Sequence, residues 1–378
     1  MPNLVDLQRA EDPRDLVHRA VQVLAEGGLI GLPTDALYGI AASGLVPSAV
    51  KRLAGESLAD CRCGEDTLEL LVPSSHAAWD YMNRGSPLAE RLARRCWPGP
   101  VTLLVQCDAE DSATSRLDLE VRRLLMDEAG LVAIRVVGHW LLQQVHRFLA
   151  GPIVIASGRG EDGTLATTGT SFARRAGNRI PLVLEDGPTR YGGPTTVVRI
   201  VGNQYEVLRE GVVESEAIDK FAKPLLVLVC TGNTCRSPMA EVLMRKRLDE
   251  VTGKPGSVSV VSAGLAAFQG DRASPQAVEV MQRRGLDLSS HCSQPMTEQL
   301  LAMADLVLTM TRGHRDAILA KFPDAEHRVK TLRIDGGDVA DPVGAPVEAY
   351  EACAAQIDRQ LEVWSQRLAG EWFPPSNP

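Results

Sequence analysis

Two α/β domains, the second built on a parallel sheet with helices on both faces, are what the sequence predicts. Three observations point there. The chain has 378 residues, more than one ordinary domain core holds. Apolar strand-like runs alternate with helical stretches, the pattern of βαβ units. A polar, charged stretch from Glu214 to Lys223, closed by Pro224, interrupts that pattern past the middle. Residues 1–213 are therefore read as a first domain, 214–223 as a linker, 224–369 as a second domain and 370–378 as a tail.

The first helix is marked by Leu16, Val17, Ala20, Val21 and Leu24 on one face. Gly27 and Gly28 end it, and Leu29 to Leu32 begins a strand. Val197 to Val201 and Gln204 to Leu208 flank Gly202-Asn203, a two-residue hairpin turn. In the second domain Leu225 to Val229, Val258 to Ser262, Leu306 to Met310 and Val329 to Leu332 are the strand-like runs. A last helix is expected from Val347 to Leu368, followed by the Pro-rich end from Phe373 to Pro378.

Composition narrows the function classes. The net charge is −8 and divides evenly: residues 1–213 carry 22 basic against 26 acidic side chains, residues 214–378 carry 18 against 22. Neither part has the basic excess that neutralises a phosphate backbone, so direct nucleic-acid binding is not expected. No apolar run reaches the roughly 20 residues that span a bilayer. The start of the chain, with Asp6, Glu11 and Asp12, does not read as a signal peptide, and a cytoplasmic protein without membrane partners is the expectation. Of eight cysteines, Cys61 and Cys63 look like half of a metal site, but no second pair follows at ligand spacing. No metal is expected.

The chemistry is concentrated in Leu225-Leu-Val-Leu-Val-Cys230-Thr-Gly-Asn-Thr-Cys235-Arg236-Ser237-Pro238. An apolar strand runs into a short loop, and Pro238 is read as the first residue of a helix. Such a loop points backbone N–H groups inward, and the helix N-terminus adds partial positive charge, which together make an anion cradle. Cys230 supplies a nucleophile at its base, and Arg236 a planar guanidinium that grips two phosphate oxygens. A thiol in such a setting ionises far more easily than a free one. Ser237 is placed to hydrogen-bond the sulfur, and Gly232 and Asn233 suit a tight loop. Asp341-Pro342, in a loop with Gly336, Gly337 and Gly344, is the natural acid for the leaving group. A lone cysteine ending a strand is by default a small buried hydrophobe. Partners at fixed offsets override that default here.

The run Val229-Cys-Thr-Gly-Asn-Thr-Cys-Arg-Ser-Pro-Met-Ala-Glu241 resembles the signature of the low-molecular-weight protein tyrosine phosphatases. The resemblance continues through Ser262-Ala263-Gly264, His291, Ala304-Asp305-Leu306-Val307-Leu308 and Asp341-Pro342. It implies a flavodoxin-like fold, no cofactor, and a phosphorylated protein as substrate. It also implies Cys230 as nucleophile, Arg236 as phosphate clamp and Asp341 as general acid and then base. Thr231, Gly232, Asn233, Thr234, Cys235, Ser237, Ser262 and His291 would form the phosphate loop and its support, with Cys235 capturing an oxidised Cys230 as a reversible disulfide. Thr234 resembles the related protein-arginine phosphatases, whereas Val343 lacks the aromatic ring of both groups. Phosphotyrosine and phosphoarginine both stand. Arsenate reduction on this fold would need a cysteine relay, for which Cys292 and Cys353 are the available residues.

The first domain opens with Gly28-Leu-Ile-Gly-Leu-Pro-Thr-Asp-Ala-Leu-Tyr-Gly39, which is similar to the YrdC-type threonylcarbamoyl-AMP synthases. The similarity resumes at Trp97-Pro-Gly-Pro-Val-Thr102, Ile134-Arg135-Val136, Gly193-Pro-Thr-Thr-Val-Val198 and Leu208-Arg209-Glu210-Gly211. It implies a twisted open α/β domain that binds threonine, bicarbonate and ATP with Mg and feeds a tRNA modification. Thr34, Arg135, Ser157 and Thr195 are the site residues that carry over. Two family cations fall on Ser57 and Ala59, and a family Ser-Ala-Asn reads Ser157-Gly158-Arg159. Loss of two cations from a triphosphate site points to a retained fold with a binding or regulatory role. A working synthase rebuilt around Arg62 or Arg159 is the alternative.

Overall fold

The computed structural model describes residues 2–55, 68–83, 86–107, 110–157, 164–177 and 180–373. They fall into two compact units, Met1–Phe221 and Ala222–Pro378. Among the described residues no helix is long and apolar enough to cross a membrane.

The first unit holds one mixed sheet. Its strands are β1 (Asn3–Asp6), β2 (Ile30–Leu32), β3 (Gly39–Ser43), β4 (Glu69–Leu71), β5 (Val101–Gln106), β6 (Leu131–Arg135), β7 (Ile153–Ser157), β8 (Leu182–Glu185), β9 (Thr196–Val201) and β10 (Gln204–Arg209). Their order is β1-β8-β2-β3-β7-β4-β6-β5-β9-β10. The first helix, Pro13–Ala25, is capped by Asp12 and buries Leu16, Val17, Ala20 and Leu24, and Gly27 turns the chain at φ +80°. Gly202, at φ +59°, makes the β9–β10 turn. The stretch 214–223, read as an inter-domain connection with room for a short helix, holds one. Ser215–Ala222 is helical, Arg95 Nη1 donates to the Phe221 carbonyl at 2.6 Å, and Tyr205 Oη donates to Asp219 Oδ1 at 2.6 Å. A short helix packed by one face is as polar in sequence as a linker.

In the second unit β11 (Leu225–Cys230), β12 (Ser259–Gly264), β13 (Leu306–Thr309) and β14 (Val329–Thr331) pair in parallel, in the order β12-β11-β13-β14. Side chains of β11 alternate between two cores. Leu226, Leu228 and Cys230 join Met239, Met244, Ile357 and Leu361, whereas Val227 and Val229 join Leu301, Ile318 and Val329. The helices Arg236–Thr252 and Val347–Trp372 thus cover one face, and Glu298–Met303 and Arg312–Lys321 the other. Because β11 and β13 lead into helices on opposite faces, their connections part at the carboxyl ends of the strands and leave a crevice.

Several boundaries differ from the sequence expectation. β12 runs two residues beyond Ser262, because Gly264 pairs with Cys230. The last helix runs to Trp372, which buries its ring one turn after Leu368, so 370–372 belong to the helix and not to a tail. Residues 374–378 lie outside the described residues. Pro238 is the third helical residue, not the first, since Cys235 caps the helix and Arg236 begins it. All first-turn N–H groups lack intrahelical partners, so proline costs little there.

Candidate active site

Cys230 ends β11 and Arg236 starts the following helix, so residues 231–235 turn the chain at the crevice. Asn233 makes the turn possible. Among the described residues it is the one non-glycine with positive φ, +54°, a region asparagine tolerates better than most residues. Gly232, expected to provide unusual angles, does not adopt them. The left-handed step falls on Asn233 instead.

The loop is held from within and from behind. Cys230 Sγ accepts from Asn233 N at 3.2 Å and lies 3.0 Å from Ser237 Oγ. Asn233 Nδ2 donates to Ser237 Oγ at 3.0 Å and to Ser262 Oγ at 2.8 Å, and its Oδ1 accepts from Gln294 N at 2.9 Å. His291 Nε2 is 2.8 Å from the Asn233 carbonyl oxygen. Ser262 Oγ donates to Glu241 Oε2 at 2.6 Å. The sulfur therefore faces donors whose positions are fixed by β12 and by the 291–294 segment, not by the loop alone.

Arg236 is buried. Its Nη1 donates to the Val339 carbonyl at 3.2 Å, and Nη2 to Asp341 Oδ2 at 2.5 Å and to Thr231 Oγ1 at 3.5 Å. Its Nε is buried without a hydrogen-bond acceptor among the described residues. An unpaired buried guanidinium N–H is costly unless something fills the place. Asp341 is the more exposed partner, 41% against 5% for Arg236, and Val343 beyond it is 67% exposed. The expected acid thus reaches the expected clamp.

Thr234 Oγ1 contacts Cys235 Sγ at 3.6 Å, and that sulfur lies 3.5 Å from Tyr350 Oη. Cys230 and Cys235 are both free thiols. Cys353 is buried against the Ala340 carbonyl, and burial pushes its thiol up to about 12. A thiol held protonated in this way does not suit a relay. Cys292 is exposed.

In the first unit the structure brings Thr34, Arg135 and Thr195 around one cavity of about 20 Å³, room for roughly one water. Thr34 Oγ1 caps its own turn, accepting from Ala36 N and Leu37 N and donating to the Leu37 carbonyl. Arg135 is clamped between carboxylates: Nη2 on Asp35 Oδ1, and Nη1 on Glu69 Oε2 at 3.3 Å. Thr195 Oγ1 donates to Glu69 Oε1 at 3.2 Å, as Thr102 does at 2.7 Å. Ser157 is the last residue of β7, opposite Gly39 of β3. Ser57, Ala59, Cys61, Arg62, Cys63, Gly158 and Arg159 lie outside the described residues.

Several participants were not legible as such. Glu241 stands one helical turn after Ser237, a spacing that does put both on one face. Gln294 acts through its backbone N–H and through its side-chain Nε2, which donates to the Ser262 carbonyl at 3.0 Å, and no motif surrounds it. Asp35 and Glu69, the partners of Arg135, come from separate strands and loops. His314 follows the helix cap Thr311 by three residues, buried, with Nε2 2.9 Å from Thr231 Oγ1.

Comparison with known proteins agrees with both resemblances. Residues 225–372 match the family model described as low molecular weight phosphotyrosine protein phosphatase. Residues 22–211 match that of Sua5, YciO and YrdC proteins, described as telomere recombination. The probable low molecular weight protein-tyrosine-phosphatase EpsP of Ralstonia nicotianae is 39% identical over 144 residues, which cover 38% of this chain and 94% of the relative. The protein-arginine-phosphatase of Geobacillus stearothermophilus is 37% identical over 150 residues, 39% of this chain and 97% of its own. That of Bacillus subtilis is 40% identical over 147 residues, 38% and 95%.

Proposed function

The chain belongs to the low-molecular-weight phosphotyrosine protein phosphatase family through its second unit and to the Sua5, YciO and YrdC family through its first, and from that premise we propose that it dephosphorylates a protein through a phosphocysteine at Cys230. The observation that carries this reading is one cradle holding a sulfur with two hydrogen-bond partners, a buried arginine with an unfilled N–H, and a carboxyl group at its mouth. Cys230 Sγ attacks phosphorus in line as the bond to the leaving atom breaks, and Asp341 gives that atom its proton. Water then attacks the phosphocysteine, Asp341 takes its proton, and inorganic phosphate leaves with the thiolate restored. Arg236 holds the equatorial oxygens in both steps.

Two features bear on the leaving group. Thr234 gives the loop a small polar wall, which favours the guanidinium of phosphoarginine. Phe268 is 79% exposed, two residues beyond Ala266, whose N–H bonds the Thr231 carbonyl; a ring there favours phosphotyrosine stacking. Phosphate release from matched phosphotyrosyl and phosphoarginyl peptides, by the parent and by Thr234→Ile, separates the two. Preference for phosphoarginine that collapses in the variant supports the first. Cys230→Ser with undiminished turnover would end the phosphocysteine reading.

For the first unit we infer a retained fold that binds or regulates rather than a working synthase. Arg135, the carried-over cation, is already neutralised by Asp35 and Glu69, which leaves little of its own charge for a triphosphate. Pyrophosphate release from ATP with Mg, threonine and bicarbonate is the test. Threonine-dependent release would make the protein bifunctional, a maker of threonylcarbamoyl-AMP for tRNA modification.

A further inference from the structure

We propose that His314 is a positioning residue of the phosphatase site, which holds the Thr231 hydroxyl and through it the Arg236 guanidinium; the proposal rests on the phosphatase reading above. Thr231 Oγ1 bridges two groups, His314 Nε2 at 2.9 Å and Arg236 Nη2 at 3.5 Å. A guanidinium only donates, so the Thr231 oxygen accepts from Arg236, and the one acceptor among the described residues for its own proton is His314 Nε2. That direction requires a neutral imidazole with a bare Nε2.

The surroundings keep the ring neutral. His314 is buried, and burial first and the neighbouring Arg236 second hold it below the ordinary histidine range, against the opposing pull of Asp341 and Asp338. Those carboxylates come from the loop ahead of the last helix, and Arg236 from the helix after β11. On its own helix Arg312 is tied to Asp338, Nε to Oδ1 at 3.7 Å. The ring's other nitrogen, Nδ1, is buried without an acceptor among the described residues, so the imidazole has one polar contact and that contact is Thr231. The backbone fixes the ring from below: Thr311 caps the helix and accepts from His314 N at 3.2 Å.

Acidification therefore has a defined effect. A protonated His314 turns Nε2 into a donor, which takes away the acceptor of the Thr231 proton, turns the hydroxyl and sets a second cation beside the guanidinium. Activity falls on the acid side through loosened phosphate grip.

The experiment combines two single variants, a conservative one and a double. His314→Leu is expected to lower kcat/KM for p-nitrophenyl phosphate about tenfold, and to weaken inorganic phosphate binding severalfold by calorimetry, the scale of one hydrogen bond. His314→Gln, whose amide reaches the place of Nε2 but does not titrate, should recover to within about threefold and move the acid limb of kcat/KM to lower pH. Thr231→Val should reproduce His314→Leu, and the double variant should be no worse than either alone. Unchanged phosphate affinity in His314→Leu, a Gln variant as poor as Leu, or effects that multiply in the double variant would each overturn the proposal. Phosphate binding needs no turnover, so absence of catalysis in the parent would count against the phosphatase reading alone.

Discussion

Asp341 Oδ2 lies 2.5 Å from Arg236 Nη2, so the acid that should serve the leaving group rests on the guanidinium that should hold the phosphate. A dianion entering the cradle competes with that carboxylate for the same N–H groups. Asp341→Asn should therefore act in two directions. It should lower kcat on aryl phosphates about a hundredfold, for want of a proton donor. It should also tighten inhibition by inorganic phosphate, because a neutral amide releases Arg236. Steady-state kinetics with phosphate as inhibitor read both; looser phosphate binding would contradict the competition.

Asn233 does two jobs, which two substitutions separate. Asn233→Gly keeps the left-handed backbone step but loses the bonds to Ser237, Ser262 and Gln294. Asn233→Ala loses those bonds and strains the backbone as well. Both should lose most activity, and the alanine variant should be less stable by about 1 kcal/mol in urea unfolding.

Glu241 accepts from Ser262 Oγ at the far end of the relay behind the sulfur. Glu241→Gln leaves an acceptor oxygen in place, and kcat should fall less than about threefold. Glu241→Leu strands the Ser262 hydroxyl in a buried position, and kcat should fall by about tenfold. Equal rates in the two variants would remove Glu241 from the relay.

In the first unit, Arg135→Met leaves Asp35 and Glu69 as buried carboxylates without their cation. Loss of one partner from such a cluster costs about 3–5 kcal/mol. Circular dichroism melts should show a large loss, whereas Asp35→Asn with Glu69→Gln together should lose less than the arginine change.

The parts of the site that follow one another in the chain were legible: Cys230, Asn233, Arg236 and Ser237 lie within a strand–loop–helix turn whose local chemistry is complete. Asp341 was legible as an Asp-Pro in a glycine-rich loop, whereas Ser262 and His291 were legible through resemblance only, because nothing near them in sequence points at the loop. His314 and Gln294 were not legible at all. One looks like an ordinary helix residue, and the other contributes a backbone N–H and a side-chain amide with no motif around it. The short helix at 215–222 was legible only as one option, since polarity alone does not distinguish a packed short helix from an open chain. In the first unit Arg135 was visible, but its carboxylate partners meet it only once β4, β6 and the turn after β2 are assembled.

The bonds that shape the loop span long stretches of chain. Asn233 reaches Ser262, His291 and Gln294, which are 29, 58 and 61 residues away, and Arg236 reaches Asp341 across 105. Contacts of such separation form late, since each must first close its loop. During synthesis β11 and its helix can pair and pack long before the cradle exists. A polypeptide stopped short of Gln294 carries the sulfur without the framework that aims donors at it. The cradle is therefore complete only once the 291–294 segment, near the middle of the second unit, has joined β11 and its helix.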